Sequence, residues 1–460
     1  MKIEELNGKK IGIFGFGTEG ESLLSYFSKH SIDNITVFDE GELSDQKALE
    51  IERSGAKLVL GPFAKENCAE TEVAFRSPGL KRDSILGLLP NNAKLTTPTN
   101  LFFANHRGKI IAVTGTKGKS TTVGLLAEVF AQNGHKYFVG GNIGNPLIKF
   151  LDETTDDSFC VLELSSFQTE DLEYAPDVAL ILPITSDHLS FHANQGIHFN
   201  FHPSMEDYLG SKGQLIKKMG ADGLIIAHDS ENIRKIISTT PAQKVYFSDH
   251  AVETGCGLVE DRLECVIEQR KHAFGDITGL CEKMKIVQID LIAALTFAFA
   301  MHYTVDTNKV SDNFKKLPFR IELVENRDGV KYYNDSAATN PVSTVEAMKT
   351  MGEGYVLIMG GSIKGLAFDD LAKEAANDGN LKAVYLFGKT ADEIFEALKK
   401  TGYEGAISKN STLDEAMSSI SKSSKDFSSV LFSPASASFD QFNSYKHRGE
   451  HFNRLVKNGS

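Results

Sequence analysis

Along the chain, short apolar runs of strand length alternate with longer stretches of helical period. The runs at 11–14, 35–38 and 73–75 stop at glycine, aspartate or a Ser-Pro-Gly turn, as buried strands of an α/β sheet do. A second series lies at 110–113, 136–139, 160–163 and 178–182, and a third at 331–333, 355–359, 383–387 and 430–432. Helical period fills 120–133, 368–377, 391–400 and 413–421, and a last amphipathic helix ends near Lys457. Ser204 reads as an N-cap with Asp207 three residues on, opening a helix that carries Lys212. Strands and helices in alternation predict parallel sheets covered by helices.

A length of 460 residues then divides into about three domains. The expected architecture is α/β throughout. A Rossmann-like N-terminal domain spans 1–97 and closes near Thr96-Thr97-Pro98. A central P-loop ATPase domain with a mostly parallel sheet spans 98–316, and a C-terminal Rossmann-like α/β domain spans 317–460. A net charge of -12 argues against a general nucleic-acid binder. The most apolar stretch near the middle, 291–300, falls far short of the roughly 20 residues a membrane span needs. No positively charged, apolar leader precedes the first strand, so no secretion signal is expected. Five cysteines without a C-x-x-C predict reduced thiols in the cytosol, and neither a disulfide frame nor a zinc site.

The strand at 110–113 runs into Gly115-Thr116-Lys117-Gly118-Lys119-Ser120-Thr121 and then into a helix. That is the setting of a phosphate loop, here in a short G-x-x-G-K-S-T form. Glycines turn backbone N–H groups onto phosphate oxygens, and the helix N-terminus adds partial positive charge. Lys119 can reach the terminal phosphates and the Ser120 hydroxyl can ligate Mg²⁺. A bare glycine turn is the alternative, but it gives no reason for the lysine and hydroxyl to sit in register.

Gly15, Gly17 and Gly20 spell G-x-G-x-x-G after the first strand, and Asp39 ends the next one, where a ribose-binding carboxylate would sit. These residues alone leave three readings open: an NAD(P) site in an oxidoreductase, another nucleotide held by its phosphates, or glycines that serve packing only. Glu163 lies inside an apolar run, where an unpaired carboxylate is expensive. Its partner is either Mg²⁺ at the phosphate loop or a lysine or arginine of the core. The strand at 178–182 leads to Asp187 and His188, and a histidine at such a strand tip is a second metal ligand or a packing residue. Residues 189–204 include His192, His198 and His202 at a spacing no common zinc site uses, so an inserted surface loop is expected.

Several segments, in order, resemble the Mur ligase family. They are Arg76-Ser77-Pro78-Gly79, the phosphate loop, Gly141-Asn142-Ile143-Gly144, Glu163-Leu164-Ser165-Ser166-Phe167-Gln168 and Asp187-His188. The series continues through Leu317-Pro318-Phe319-Arg320, Asn334-Asp335-Ser336, Ala338-Thr339-Asn340-Pro341, the Ser-rich run 433–438 and His447-Arg448-Gly449. The resemblance implies a monomeric cytoplasmic ligase, with neither nucleic-acid nor membrane partners. It would use ATP and two Mg²⁺ to add D-glutamate to UDP-N-acetylmuramoyl-L-alanine through an acyl phosphate. It turns the first domain away from NAD and toward the UDP of the precursor, held by Gly17, Thr18, Asp39, Ser77, Pro78, Gly79 and Asn142.

By the same resemblance, Gly115, Thr116, Lys117, Gly118, Lys119, Ser120, Thr121, Asp290, Arg320 and Asp335 bind ATP. Ser120 and Glu163 hold one Mg²⁺, His188 holds a second, and Lys212 is carbamylated beside them. Lys119, His188, Lys212 and Lys364 serve catalysis, while Lys364, Ser438, Phe439 and Tyr445 hold D-glutamate. Without the resemblance, 433–438 reads equally as a capping loop. Three departures stand out: Ala337 where the family has lysine, Asp290 where it often has asparagine, and a longer segment between His188 and Lys212. The competing expectations are a relative that adds a different amino acid, an NAD(P)-dependent oxidoreductase, and a nucleotide-gated binding module without catalysis.

Overall fold

The structure is a computed structural model that describes residues 1–41, 43–143, 145–185, 202–314, 318–352, 354–362, 367–423 and 426–459. Three sheets follow one another along the chain. The first holds β1 (Ile11–Phe14), β2 (Ile35–Asp39), β3 (Lys57–Leu60), β4 (Val73–Arg76) and β5 (Lys94–Thr96), all parallel, in the order β3-β2-β1-β4-β5. Its central strands β1 and β4 are buried along their whole length, which is why they read as unbroken apolar runs.

The second sheet holds β6 (Lys109–Thr114), β7 (Tyr137–Gly141), β8 (Phe159–Glu163), β9 (Val178–Ile181), β10 (Leu224–His228) and β11 (Gln243–Ser248). It is completed by β12 (Gly255–Val259), β13 (Arg262–Ile267) and β14 (Arg270–Asp276), in the order β14-β13-β12-β11-β10-β9-β6-β8-β7. The sheet is parallel from β7 to β12, and its last two pairings are antiparallel. The helices Lys119–Gln132 and Gln288–Ala300 pack together over it, Phe130 against Phe297 at 5.6 Å between ring centroids. The register carries functional weight. Val113 of β6 lies beside Glu163 of β8, and Gly141 of β7 lies on the other side of Glu163. Three strand ends thus deliver the phosphate loop, a carboxylate and Asn142 to one place, the carboxyl edge of the sheet, where open α/β sheets bind ligands.

The third sheet holds β15 (Glu322–Arg327), β16 (Val330–Asn334), β17 (Tyr355–Gly360), β18 (Leu381–Phe387), β19 (Ala406–Lys409) and β20 (Ser429–Phe432), in the order β15-β16-β20-β17-β18-β19. It is parallel apart from the β15–β16 hairpin. The first two sheets share one compact unit, residues 1–280 with 288–313, and the third belongs to a second unit, 281–287 with 314–460.

One expectation is corrected. Cys256 and Cys265 form a disulfide. They are directly opposed in the β12–β13 hairpin, equidistant from its turn at Glu260-Asp261. A spacing of 9 matches no metal or redox motif, yet a tight hairpin brings such positions side by side. Cys68, Cys160 and Cys281 are buried and lie outside this disulfide. Among the described residues, no helix is long and apolar enough to cross a membrane.

Candidate active site

The phosphate loop needs its glycines. Gly115 (φ 147°) and Gly118 (φ 80°) lie in the left-handed range. A Cβ on Gly115 would strike Leu182, and one on Gly118 would strike the Asp290 carboxylate. Asp290 is buried, and it sits against the phosphate loop. The Lys119 ammonium is folded over its own loop, donating to the carbonyls of Gly115 (3.0 Å) and Thr116 (2.7 Å). Lys212 is 2% exposed and donates to the same Gly115 carbonyl at 2.8 Å, with its Nζ 4.6 Å from the centre of the Tyr208 ring. Two ammonium groups sharing one carbonyl are no more than about 6 Å apart and repel each other. The Tyr208 hydroxyl meets Thr116 Oγ1 at 3.1 Å, which ties the helix Met205–Gly213 to the loop. Lys117 and Thr121 lie half-buried beside these groups.

Glu163 is 1% exposed. Its Oε2 accepts from the Ser120 hydroxyl at 2.6 Å and its Oε1 from the Asn142 amide at 2.8 Å. Asn142, expected on the precursor, is therefore joined to this carboxylate. Among the described residues Glu163 has no ion-pair partner, so the core lysine or arginine of the alternative reading is not found there. A buried carboxylate with uncompensated charge, next to a serine hydroxyl at a phosphate loop, is a hard-oxygen set that fits Mg²⁺. The described residues hold no group of three or more His, Cys, Asp or Glu able to cage a metal. Phosphate and water oxygens would complete the shell, as is usual for Mg²⁺. Asp187, His188, His192 and His198 lie outside the described residues.

On the first sheet, Gly15, Gly17 and Thr18 come together with Ser77, Pro78 and Gly79 at the ends of the adjacent strands β1 and β4. A Cβ on Gly15 would press on Ser77. Asp39 accepts from the backbone N–H of Phe16 (2.5 Å) and of Gly41 (2.8 Å), so its carboxylate fixes the rim of this loop. Two neighbours were given no role by the sequence reading, although Arg76 stood in one of its motifs. Arg76 is fully buried and donates to Asp171 through Nε (3.0 Å) and Nη2 (2.6 Å), to Glu170 (2.6 Å), and to the carbonyls of Leu80 (2.5 Å) and Phe167 (3.4 Å). Glu19 accepts from the Gln168 amide at 2.8 Å through Oε1, while its buried Oε2 has no hydrogen-bond partner among the described residues. Burial pushes its carboxyl up to about 7, against the pull of the Gln168 hydrogen bond and the Arg76 charge.

His202 also departs from expectation. Instead of lying in a surface loop it is 1% exposed, hydrogen-bonded to Asp207 (2.6 Å) and Ser166 (2.8 Å).

In the second unit, β16 and β20 are neighbours, so the loops that follow them meet. Asp335 is buried, with Oδ2 2.7 Å from Ser433 Oγ and Oδ1 accepting from Ile321 N–H at 3.3 Å. Arg320 stands between two non-glycine residues in the left-handed range, Phe319 (φ 66°) and Ile321 (φ 46°). Such strain gathers at functional loops, and a β-branched residue bears it least well. The Phe319 ring occupies the space a side chain on Gly449 would need. Arg448, fully buried, donates to Ser336 Oγ (3.1 Å), Ser336 O (2.9 Å) and Ser436 O (2.9 Å), locking the two loops together. Burial lowers its guanidinium to about 9, with Asp440 and Asp335 opposing that shift. The final helix Tyr445–Asn458 is capped by Ser444, so the run 433–438 does not cap it. Ser438 is buried, Phe439 is 66% exposed and Tyr445 is half-buried. Lys364 lies outside the described residues.

Comparison with known proteins finds relatives of the chain and of its fold. The Mur ligase middle domain matches residues 113–273, and the family described as Mur ligase, glutamate ligase domain matches 319–436. The UDP-N-acetylmuramoylalanine--D-glutamate ligase of Symbiobacterium thermophilum is 31% identical over 467 residues, covering 99% of this chain and 99% of that protein. Its counterpart from Acetivibrio thermocellus is 31% identical over 471 residues, covering 98% and 97%. Among solved structures, the UDP-N-acetylmuramate-alanine ligase MurC from Thermotoga maritima superposes with a TM-score of 0.60 at 14% identity, covering 98% of this chain and 100% of that one. The MurF ligase from the same organism, in complex with ADP, gives 0.57 at 16% identity, covering 99% and 97%. These two carry the fold, α/β with mostly parallel sheets, and are consistent with three domains. Identity sustained over nearly the whole length carries more: the chain belongs to the Mur ligase family.

Proposed function

We propose that this chain is an ATP-dependent ligase that joins D-glutamate to UDP-N-acetylmuramoyl-L-alanine in peptidoglycan precursor synthesis. The observation that carries the reading is the 31% identity, over 99% of the chain, to relatives bearing that name. The Ser120–Glu163–Asn142 cluster beside Lys119 supports it chemically. We assign residues 1–97 to the precursor, 98–316 to ATP and 317–460 to the amino acid, in a monomer of the cytoplasm. The parallel order β3-β2-β1-β4-β5 suits a Rossmann-like first domain.

A carboxylate is a poor acylating agent. The precursor carboxylate attacks the γ-phosphorus of ATP, the bond to the bridging oxygen breaks, and ADP leaves an acyl phosphate behind. The uncharged amine of D-glutamate attacks the acyl carbon, phosphate departs and the nitrogen sheds a proton. Lys119 turns from its loop carbonyls to the transferring phosphoryl group and offsets its charge. Ser120 and Glu163, with His188 and a carbamylated Lys212, would hold two Mg²⁺, which supply further charge stabilisation when bound. A neutral Lys212 amine is the form that adds CO₂ and releases a proton. The carbamate would replace repulsion with attraction.

Gly17, Thr18, Asp39, Ser77, Pro78 and Gly79 hold the precursor's UDP, and Asn142 acts from beside Glu163. Asp290, Arg320 and Asp335 serve the nucleotide. Ser438, the backbone N–H of Phe439, Tyr445 and Lys364 grip the carboxylates of D-glutamate. The test is phosphate release with ATP, Mg²⁺, the L-alanyl precursor and a panel of D- and L-amino acids. Release should require the precursor and be fastest with D-glutamate. Precursor-independent release, or faster turnover with another amino acid, would overturn the reading.

A further inference from the structure

His202 is a buried titratable group that this function does not use. Its Nδ1 lies 2.6 Å from Asp207 Oδ2 and its Nε2 2.8 Å from Ser166 Oγ. Its ring stacks on Phe167 (4.9 Å between centroids, 12° between planes) and leans on Tyr208 (5.2 Å). Burial lowers its pKa, with hydrogen bonding to Asp207 opposing. The neutral ring assigned from this network donates from Nδ1 to Asp207 and accepts the Ser166 hydroxyl at Nε2.

A hydroxyl, imidazole and carboxylate in this order can activate a nucleophile. Here the hydroxyl is sealed: Ser166 is 2% exposed and His202 is 1% exposed. What the relay joins is more telling. Ser166 opens the short helix Ser166–Thr169, three residues after Glu163. Asp207 lies in the first turn of the helix Met205–Gly213, which carries Lys212. Between them, Tyr208 leans on His202 and bonds Thr116 of the phosphate loop. Without His202 the helix bearing Lys212 would keep its contact with the phosphate loop and the bond from its C-cap Gln214 to the Leu172 carbonyl, but lose its bond to the turn at Ser166, nearest Glu163.

We propose that His202 is a positioning residue of the metal site, fixing the separation between Lys212 and Glu163 through Asp207 and Ser166. The inference rests on the reading of those two groups as metal-site residues. It differs from a plain packing role in one respect: cutting either hydrogen bond should weaken metal binding without unfolding the chain.

The experiment is a Mn²⁺ titration followed by electron paramagnetic resonance, with ADP present, on the full chain. Ser166→Ala, Asp207→Ala and their double variant are compared with wild type, with Glu163→Gln as control and thermal melts to verify folding. Asp207 is 47% exposed on its side chain, so Asp207→Ala keeps the fold even if Ser166→Ala does not. Each single variant should lose about ten- to a hundredfold in Mn²⁺ affinity, the usual effect of removing a group that orients a ligand. The double variant should lose little more, because both bonds act through one ring. If Glu163→Gln binds Mn²⁺ like wild type, the metal-site reading itself fails. If Glu163→Gln loses Mn²⁺ while folded Asp207→Ala keeps wild-type affinity, the positioning inference alone fails. A fluorophosphonate probe should leave Ser166 unlabelled, and labelling there would identify a nucleophile and overturn the positioning role.

Discussion

Glu163→Gln separates charge from shape at the centre of the site. The amide has the same size, and its two ends can keep both contacts. Its oxygen accepts from Asn142 and its NH₂ donates to Ser120 Oγ, replacing the 2.8 Å and 2.6 Å bonds of the carboxylate. Only the charge is lost. Burying a lone carboxylate costs several kcal/mol after relaxation, and two hydrogen bonds to a charged group return about 1.5–3 kcal/mol each. The terms nearly cancel, so without metal the variant should be between neutral and about 2 kcal/mol more stable than wild type. At about 2–4 °C per kcal/mol for a unit of this size, that is a rise in Tm of zero to about 8 °C. With Mg²⁺ and ADP the order reverses. A ligand at a hundred times its Kd adds about 2.7 kcal/mol to wild type, and the variant should lose most of that gain. Ligase turnover should fall by a factor of about 10² or more. Scanning fluorimetry with and without Mg²⁺ and ADP, beside a turnover assay, measures all three. A variant that melts several degrees earlier without metal would mean that the charge of Glu163 is already compensated inside the protein. A retained Mg²⁺-dependent shift would remove Glu163 from the metal site.

Two further outcomes are expected. Ser438→Ala should raise the KM for D-glutamate by about ten- to a hundredfold, the worth of one hydrogen bond to a charge, and leave the KM for ATP unchanged; steady-state kinetics in both substrates decide it, and equal effects on the two would refute the assignment. Glu19 has its carboxyl raised from 4.5 to about 7 by burial, so the folded chain holds this proton more tightly than the unfolded one. The associated stability is complete below the ordinary carboxylate value, declines as pH climbs toward 7 and is gone above it, a change of at most about 3 kcal/mol. Glu19→Gln should therefore flatten the fall in Tm between about pH 5 and pH 8, and parallel profiles for variant and wild type would refute it.

What the sequence made legible follows from burial. β1, β4, β6, β8 and β9 are covered on both faces, or nearly so, and such strands must be apolar throughout. The phosphate loop and Glu163 stood out because they interrupt those runs. β14, exposed at most positions, and the edge strand β19 have no such signature, and both went unread. Contacts made far along the chain left no local trace. Arg76 meets partners up to 95 residues away, and His202 is buried by Ser166, 36 residues back, inside a run that reads as polar. The Cys256–Cys265 disulfide was missed for a related reason, since its residues meet through strand pairing and the spacing alone points nowhere.

These long-range contacts converge on one short turn. After Glu163 the chain folds into the helix Ser166–Thr169, held by reciprocal hydrogen bonds between Ser165 and Gln168. From this turn Ser166 reaches His202, the Phe167 carbonyl accepts from Arg76, and Gln168 donates to Glu19. Just beyond it, Glu170 and Asp171 pair with Arg76, and Asp171 also pairs with Arg82. The turn therefore fastens the glycine and Ser-Pro-Gly loops of the first sheet and the helix of Lys212 to the strand that carries Glu163. Acyl transfer demands such fastening, because reacting atoms must meet at about 3–3.5 Å and a misplacement of about 1 Å can cost a hundredfold in rate. An apolar residue in place of Arg76 could fill the same space and even add stability. It could not hold Leu80, Phe167, Glu170 and Asp171 in one fixed geometry. A fully buried arginine is thus accounted for by register between the two sheets, and stability alone gives no reason for it.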